Sequence, residues 1–299
     1  MNNPKEYSPI LFAYKSYGYI ANELIKQPGM IKGEFSLKRF PNDELYVSLG
    51  TQVKNQSCVV MGSISPPETN LFSFLLLCHT LKKENASEVI ALVPYLAYSR
   101  HDKNEAGKSY TLALIGGLLS QAGIDKLITF DIHNTAVTKI IPIQIESIFP
   151  AELFADVIKA KAMHDYTIVS PDEGAIERCR MVADKSGITR KISYMKKHRT
   201  EEGITHGEFH GDISERVIII DDMIDTGGTL ISCCEYLNRA GVKDICIMVT
   251  HGLFTGKNWE KLWELGVKNI YCTNTLPMQA LDARIIVLSI VPILQIYFS

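Results

Sequence analysis

The sequence predicts an α/β fold with parallel sheets, and three observations carry that expectation. A local pattern recurs four times: a Leu, a Gly or Asn four residues on, and a β-type run starting four residues later. It reads Leu81/Asn85/Val89, Leu119/Gly123/Leu127, Leu237/Gly241/Ile245 and Leu262/Gly266/Ile270. A Gly or Asn just past a helix takes the left-handed conformation that ends it. The runs that follow, VIALVPY, LITFDIH, ICIMVTH and IYCTN, are apolar on successive residues, as strands buried on both faces require. Finally, strand-like and helix-like segments alternate, which is the arrangement of parallel βαβ units.

The elements follow in order. A strand is expected over Cys58–Ile64, a helix over about 70–83, the strand from Val89, a helix over 111–121 and the strand from Leu127. Next come a helix over 151–162, a strand over Thr167–Pro171, a helix over 175–186, and strands over Lys191–Met195 and Val217–Ile220. A helix over 229–240 and strands from Ile245, Ile270 and Ile285 complete the chain. Two of the repeat units fall in each half, so an internal duplication into domains 1–149 and 150–299 is expected.

Composition excludes several classes. The chain has 299 residues, and 31 basic against 33 acidic side chains give a net charge of −2. No broad basic footprint for nucleic acid exists in that balance. The longest apolar stretch, Ile285 to Phe298, is broken by Ser289, Pro292 and Gln295 and is too short for a bilayer, so no membrane partner is expected. The start MNNPKEYSPI lacks the basic and apolar regions of a signal peptide. The seven cysteines form no C-x-x-C pair and fall largely within apolar runs, where free thiols act as small hydrophobes. A soluble, reduced, cytoplasmic protein is the expectation.

Chemistry is written most plainly in Val217 to Leu230, VIIIDDMIDTGGTL. Four β-branched residues run into Asp221 and Asp222, then into Asp225, Thr226, Gly227, Gly228 and Thr229, then into a helix. Glycines let backbone N–H groups turn inward as an anion nest, and a helix N-terminus adds positive potential at the same spot. Gly228 is expected to need a positive φ. A phosphate monoester fits the nest, and adjacent carboxylates at a strand end suit vicinal ribose hydroxyls.

This stretch resembles the phosphoribosyl-diphosphate (PRPP) loop shared by type I phosphoribosyltransferases and ribose-phosphate diphosphokinases. Further segments resemble the diphosphokinases in particular. Phe40-Pro41-Asn42-Asp43-Glu44 is similar to the family's ATP loop, and Pro94 to Lys103, with Arg100, His101 and Asp102, to its Pro-Tyr-x-x-Tyr-Ala-Arg-Gln-Asp segment. Asp131-Ile132-His133 resembles the magnesium element, and Ser170-Pro171-Asp172-Glu173-Gly174 the Ser-Pro-Asp-x-Gly loop. Lys197-His198-Arg199 falls where the family carries Lys-Arg-Arg, and Leu288 to Leu294 matches its tail. The likeness implies two similar phosphoribosyltransferase-type domains, each a mainly parallel sheet flanked by helices, and the conversion of ATP and ribose 5-phosphate to AMP and PRPP.

By that resemblance Phe40, Asn42, Asp43, Glu44, Arg100, His101 and Asp102 bind ATP, and His133 and Asp172 hold Mg²⁺. Asp221, Asp222, Asp225, Thr226, Gly227, Gly228, Thr229 and Arg199 bind the sugar phosphate. Lys197 and Arg199, on a polar loop able to close over phosphates, are the catalytic cations. The family also implies a homodimer or hexamer. Two rivals stay open: a transferase that consumes PRPP, and a catalytically silent regulatory homologue. Three departures stand out. Asp43 replaces the usual Gly and His198 an Arg, and the arginines of regulated members are missing from Lys103–Lys108 and Ser48–Asn55.

Overall fold

A computed structural model of the chain describes residues 8–26, 29–200, 203–277 and 282–299, with the backbone alone for 197–200 and 203–208. The chain divides into two compact units, one of 1–148 with 290–299 and the other of 149–289. The sheets are mainly parallel and flanked by helices, as the alternating pattern predicts.

In the first unit the elements run β1 (Ile10–Ala13), α1 (Gly18–Leu24), β2 (Ile31–Lys32), β3 (Phe35–Arg39), β4 (Leu45–Leu49) and β5 (Ser57–Met61). They continue as α2 (Thr69–Lys83), β6 (Glu88–Leu92), α3 (Thr111–Gln121), β7 (Lys126–Phe130), α4 (Val137–Ile140) and β8 (Gln144–Ile148). Six strands form an all-parallel sheet in the order β2-β1-β5-β6-β7-β8. Strands β3 and β4 stand apart as an antiparallel hairpin, paired from Phe35↔Leu49 to Arg39↔Leu45.

The second unit runs α5 (Ala151–Ala160), β9 (Thr167–Ser170), α6 (Ile176–Ser186), β10 (Ser193–Thr200), β11 (Gly203–His210), β12 (Arg216–Ile224) and α7 (Gly228–Arg239). It closes with β13 (Asp244–Gly252), α8 (Lys261–Glu264), β14 (Val267–Thr273) and β15 (Ile285–Leu288). Its sheet is ordered β11-β10-β9-β12-β13-β14-β15, with only the edge strand β11 antiparallel among the described strands. Strand β12 lies centrally and is buried from Val217 to Ile224, so its unbroken apolar run is the signature of a strand covered on both faces.

The recurring Leu–Gly/Asn–strand pattern has a common geometry. Asn85, Gly123, Gly241 and Gly266 all have left-handed φ, at 62°, 79°, 86° and 87°. Each turns a helix end into the next strand.

The final helix, α9 (Val291–Tyr297), belongs to the first unit although it follows the whole second unit in sequence. Ile290 and Leu294 are fully buried in a cluster with Leu11, Ile20, Leu24 and Phe130. Burying such a side chain contributes about 2 kcal/mol. A polar clasp adds direction: Lys126 Nζ donates to the Tyr297 hydroxyl at 2.6 Å, and that hydroxyl donates to Glu146 Oε2 at 2.6 Å. Among the described residues no helix is long and apolar enough to cross a membrane. All seven cysteines are buried and none is in a disulfide.

Candidate active site

The centre of the second unit is the carboxyl end of β12, the edge at which open parallel sheets bind ligands. Asp221 is 9% exposed and Asp222 is 3% exposed. The Asp222 N–H donates to Asp221 Oδ1 at 2.9 Å. Burial, followed by repulsion from Asp222 and Asp172, pushes the Asp221 carboxyl well above the usual carboxylate range. Three acidic side chains of one unit therefore act on one another. Asp172 is also a cap: its Oδ1 accepts from the N–H groups of Gly174 at 2.9 Å and Ala175 at 3.2 Å.

Past β12 the chain bends through Asp225 and Thr226, and Gly227 adopts φ +84°. A Cβ there would lie 2.9 Å from the Cα and Cβ of Trp259, so both conformation and space demand glycine. Gly228 is different. It is the first residue of α7 and has open space around it, so the expected positive φ belongs to Gly227 instead. The turn is braced from outside, with Thr255 N–H donating to Asp225 O at 3.1 Å and Asn258 Nδ2 to Thr226 O at 3.1 Å. The amino end of the 12-residue α7 thus opens directly from the bend.

Lys197 and Arg199 lie on β10, in an antiparallel pair that aligns Lys197↔His206 and Arg199↔Ile204. The polar loop expected from composition is therefore a two-stranded ribbon at the sheet edge. The register of β10 with β11 shifts between Met195 and Lys197. The side chains of Lys197, His198 and Arg199 lie outside the described ones.

In the first unit, Phe40 to Glu44 form the tip of the β3–β4 hairpin. Phe40 is 51% exposed and stacks on Tyr46 at 4.4 Å between ring centres. The tip is closed by Phe40 N–H to Glu44 O at 2.9 Å, Asp43 N–H to Phe40 O at 2.8 Å and Glu44 N–H to Asn42 Oδ1 at 3.3 Å. Asp43, where the resembling family has Gly, keeps a left-handed φ of 69°. Aspartate tolerates that region better than most residues, so the substitution preserves the turn.

Arg100, His101 and Asp102 follow β6, and Asp131 to His133 follow β7, so both groups lie beyond carboxyl ends of the first sheet. Asn134 Nδ2 donates to Asp102 Oδ2 at 2.8 Å and ties the two segments together. Asp131 is buried with its N–H donating to Ile148 O at 3.0 Å, whereas His133 next to it is exposed.

Sequence reasoning missed three features. Asn134 sits directly after the Asp-x-His element, which gave it a positional signal. Asn258 and Trp259 carry none, since they lie in an ordinary polar segment. The third is a buried network at the ends of β13 and β14. There His251, 1% exposed, has Nδ1 2.9 Å from Thr275 Oγ1, and Thr273 Oγ1 donates to Thr250 O at 2.7 Å.

Two family models match the chain. One, the N-terminal domain of ribose phosphate pyrophosphokinase, covers residues 9–123, and the other, a phosphoribosyl synthetase-associated domain, covers 181–297. A phosphoribosylpyrophosphate synthetase structure from Mycobacterium smegmatis matches with a TM-score of 0.84 and 27% identity, over 97% of each chain. The chain belongs to the ribose-phosphate pyrophosphokinase family. Among curated relatives, the Wolinella succinogenes ribose-phosphate pyrophosphokinase is 28% identical over 286 residues, 95% of this chain and 92% of its own. Ribose-phosphate pyrophosphokinase 4 of Saccharomyces cerevisiae is 29% identical over 274 residues, 90% of this chain and 84% of its own.

Proposed function

We propose that this chain transfers the β,γ-diphosphoryl group of ATP to the C1 hydroxyl of ribose 5-phosphate, releasing AMP and PRPP. The single observation that carries the reading is the β12 end. A buried carboxylate pair, a left-handed glycine backed by packed chain and a helix amino terminus follow one another within nine residues. Vicinal hydroxyls and a terminal phosphate of one sugar match those groups in that order.

The roles follow from chemistry. Thr226 to Thr229 take the 5-phosphate through N–H and hydroxyl donors, with the α7 dipole favouring the charge. Asp221, Asp222 and Asp225 accept from the ribose hydroxyls. Phe40 offers its exposed face to adenine, with Asn42, Asp43 and Glu44 giving polar edges. Arg100, flanked by His101 and Asp102, suits bidentate contact with a phosphate. Lys197 and Arg199 neutralise charge that grows on the transferred group, and such stabilisation is worth several kcal/mol. Phosphoryl-type transfer consists largely of positioning and charge neutralisation, so the chain needs little other machinery.

Mg²⁺ fits the donor set. Among the described residues no group of three His, Cys, Asp or Glu could hold a metal alone. A carboxylate and one imidazole suit an ion which keeps waters and binds mainly through substrate phosphates. His133 and Asp172 are the proposed protein ligands; Mg²⁺ would neutralise diphosphate charge. A cytoplasmic homodimer or hexamer is the proposed form.

The test is release of AMP from ATP, measured with and without ribose 5-phosphate and Mg²⁺. Release that needs both supports the reading. No release, with ribose 5-phosphate still bound, would mean a silent homologue. Consumption of PRPP with a nucleobase instead would mean a transferase.

A further inference from the structure

The segment after β13 grips the nest by its carbonyls. Ile224 O accepts from the N–H groups of Leu253 at 2.8 Å and Phe254 at 3.2 Å, and Asp225 O accepts from Thr255 at 3.1 Å. Thr226 O accepts from Asn258 Nδ2 at 3.1 Å, and Gly227 O accepts from Ile231 N–H within α7 at 2.8 Å. In a trans peptide the C=O and the following N–H point in opposite directions. Holding the carbonyls of 225 and 226 therefore turns the N–H groups of Thr226 and Gly227 away from the gripping segment, while the helical bond from Ile231 to Gly227 O fixes the peptide that carries the Gly228 N–H. Those are the donors an anion nest needs.

Two of these three carbonyls are held by backbone N–H groups, which most residues would supply. The 226–227 peptide is held by a side chain, that of Asn258, and it carries the N–H of the left-handed residue. Trp259 completes the support. It is 5% exposed, donates from Nε1 to Gly256 O at 3.1 Å, and meets Phe254 edge-on at 4.9 Å. Its Cα and Cβ stand where a Cβ on Gly227 would go.

We propose that Asn258 and Trp259 are positioning residues of the sugar-phosphate site: Asn258 sets the direction of the Gly227 N–H, and Trp259 walls the space behind Gly227. This rests on the reading of the nest as the 5-phosphate site. Asn258 touches no ligand in this account and acts only through the 226–227 peptide. An amide donates to the carbonyl, whereas a carboxylate of the same shape presents a lone pair to a lone pair and drives that peptide to rotate.

The experiment compares the parent, Asn258→Asp and Asn258→Ala as full-length chains. Ribose 5-phosphate binding is measured by calorimetry without nucleotide, alongside kcat, the KM values and thermal melting. Asn258→Asp is expected to weaken ribose 5-phosphate about tenfold, and Asn258→Ala a few-fold because water replaces the lost donor. KM for ATP and kcat at saturating sugar phosphate should stay within twofold, since a misplaced N–H costs ground-state and transition-state binding alike. Melting should barely move, because Asn258 is exposed. Equal ribose 5-phosphate affinity in the parent and Asn258→Asp overturns the proposal, as does a fall in kcat with unchanged affinity. If Asn258→Asp loses its fold, parent-like affinity in Asn258→Ala overturns it instead. No binding by the parent would overturn the reading of the nest itself, and this inference with it.

Discussion

Two left-handed residues, Gly227 and Asp43, sit in the two proposed ligand loops and are built to opposite standards. At Gly227 the φ of +84° is enforced from behind, and any Cβ would strike the backbone of Trp259. At Asp43 the φ of 69° is reached by an exposed side chain at a hairpin tip, where Arg39 Nη1 donates to Asp43 O at 2.6 Å. The nest grows from a central strand and is braced by a neighbouring segment. The hairpin is a separate two-stranded sheet held at its tip by its own short-range bonds. A phosphate needs several donors in fixed directions, so the loop around it admits little change. An aromatic face for adenine needs only to be present and exposed, so the loop that carries it tolerates a non-glycine at its turn.

The sharpest way to break this comparison is Gly227→Ala. Strain in a left-handed alanine and the clash with Trp259 act together, so ribose 5-phosphate affinity should fall about a hundredfold or more while ATP binding stays near the parent value. Steady-state kinetics with each substrate varied reads both. A variant with parental KM for ribose 5-phosphate would show that the turn is not confined. Phe40→Ala comes next. Loss of the stacking face should raise KM for ATP roughly tenfold, and melting should be unchanged because little buried area is lost. An unfolded or unstable variant would make the hairpin structural instead.

A smaller effect concerns Asp221. Its folded-state pKa is raised above the unfolded value, so its contribution to stability is full below the unfolded carboxylate range and is lost as pH rises through the folded pKa. Asp221→Asn keeps the acceptor for the Asp222 N–H and removes the repulsion. It should melt a few degrees above the parent at pH 8, with the two converging near pH 4. A gap that widens toward acid would reverse the assigned sign. Smallest of all is Asp43→Gly. Relief of the left-handed aspartate and the greater freedom of the unfolded glycine roughly cancel, leaving stability within about 1 kcal/mol and KM for ATP within twofold. A large gain in ATP affinity would mean that Asp43 had deformed the loop.

The same contrast explains what could be read before the structure. The β12 run and the nest were legible because an unbroken β-branched stretch ending in acids and glycines has few other uses. The four helix ends were legible because Gly and Asn enter the left-handed conformation that ends a helix more readily than other residues do. The ribbon of β10 and β11 was not, since Lys196-Lys197-His198-Arg199 is polar on successive residues and shows no apolar alternation in the sequence. Which glycine turns backward, 227 or 228, depends on where α7 begins, and residue types alone leave that one position uncertain. The return of α9 to the first unit is a long-range contact through Leu294 and Tyr297, invisible to any local pattern. The support given by Asn258 and Trp259 was hidden for the same reason, lying more than thirty residues from the peptide it holds.

Calorimetry of ribose 5-phosphate, without nucleotide, on the parent, Phe40→Ala and Gly227→Ala tests the central claim most directly. The claim is that a confined nest after β12 holds the sugar phosphate independently of the adenine hairpin. It requires equal affinity in the parent and Phe40→Ala and near-complete loss in Gly227→Ala. Full affinity in Gly227→Ala, or an equal loss in both variants, would contradict it.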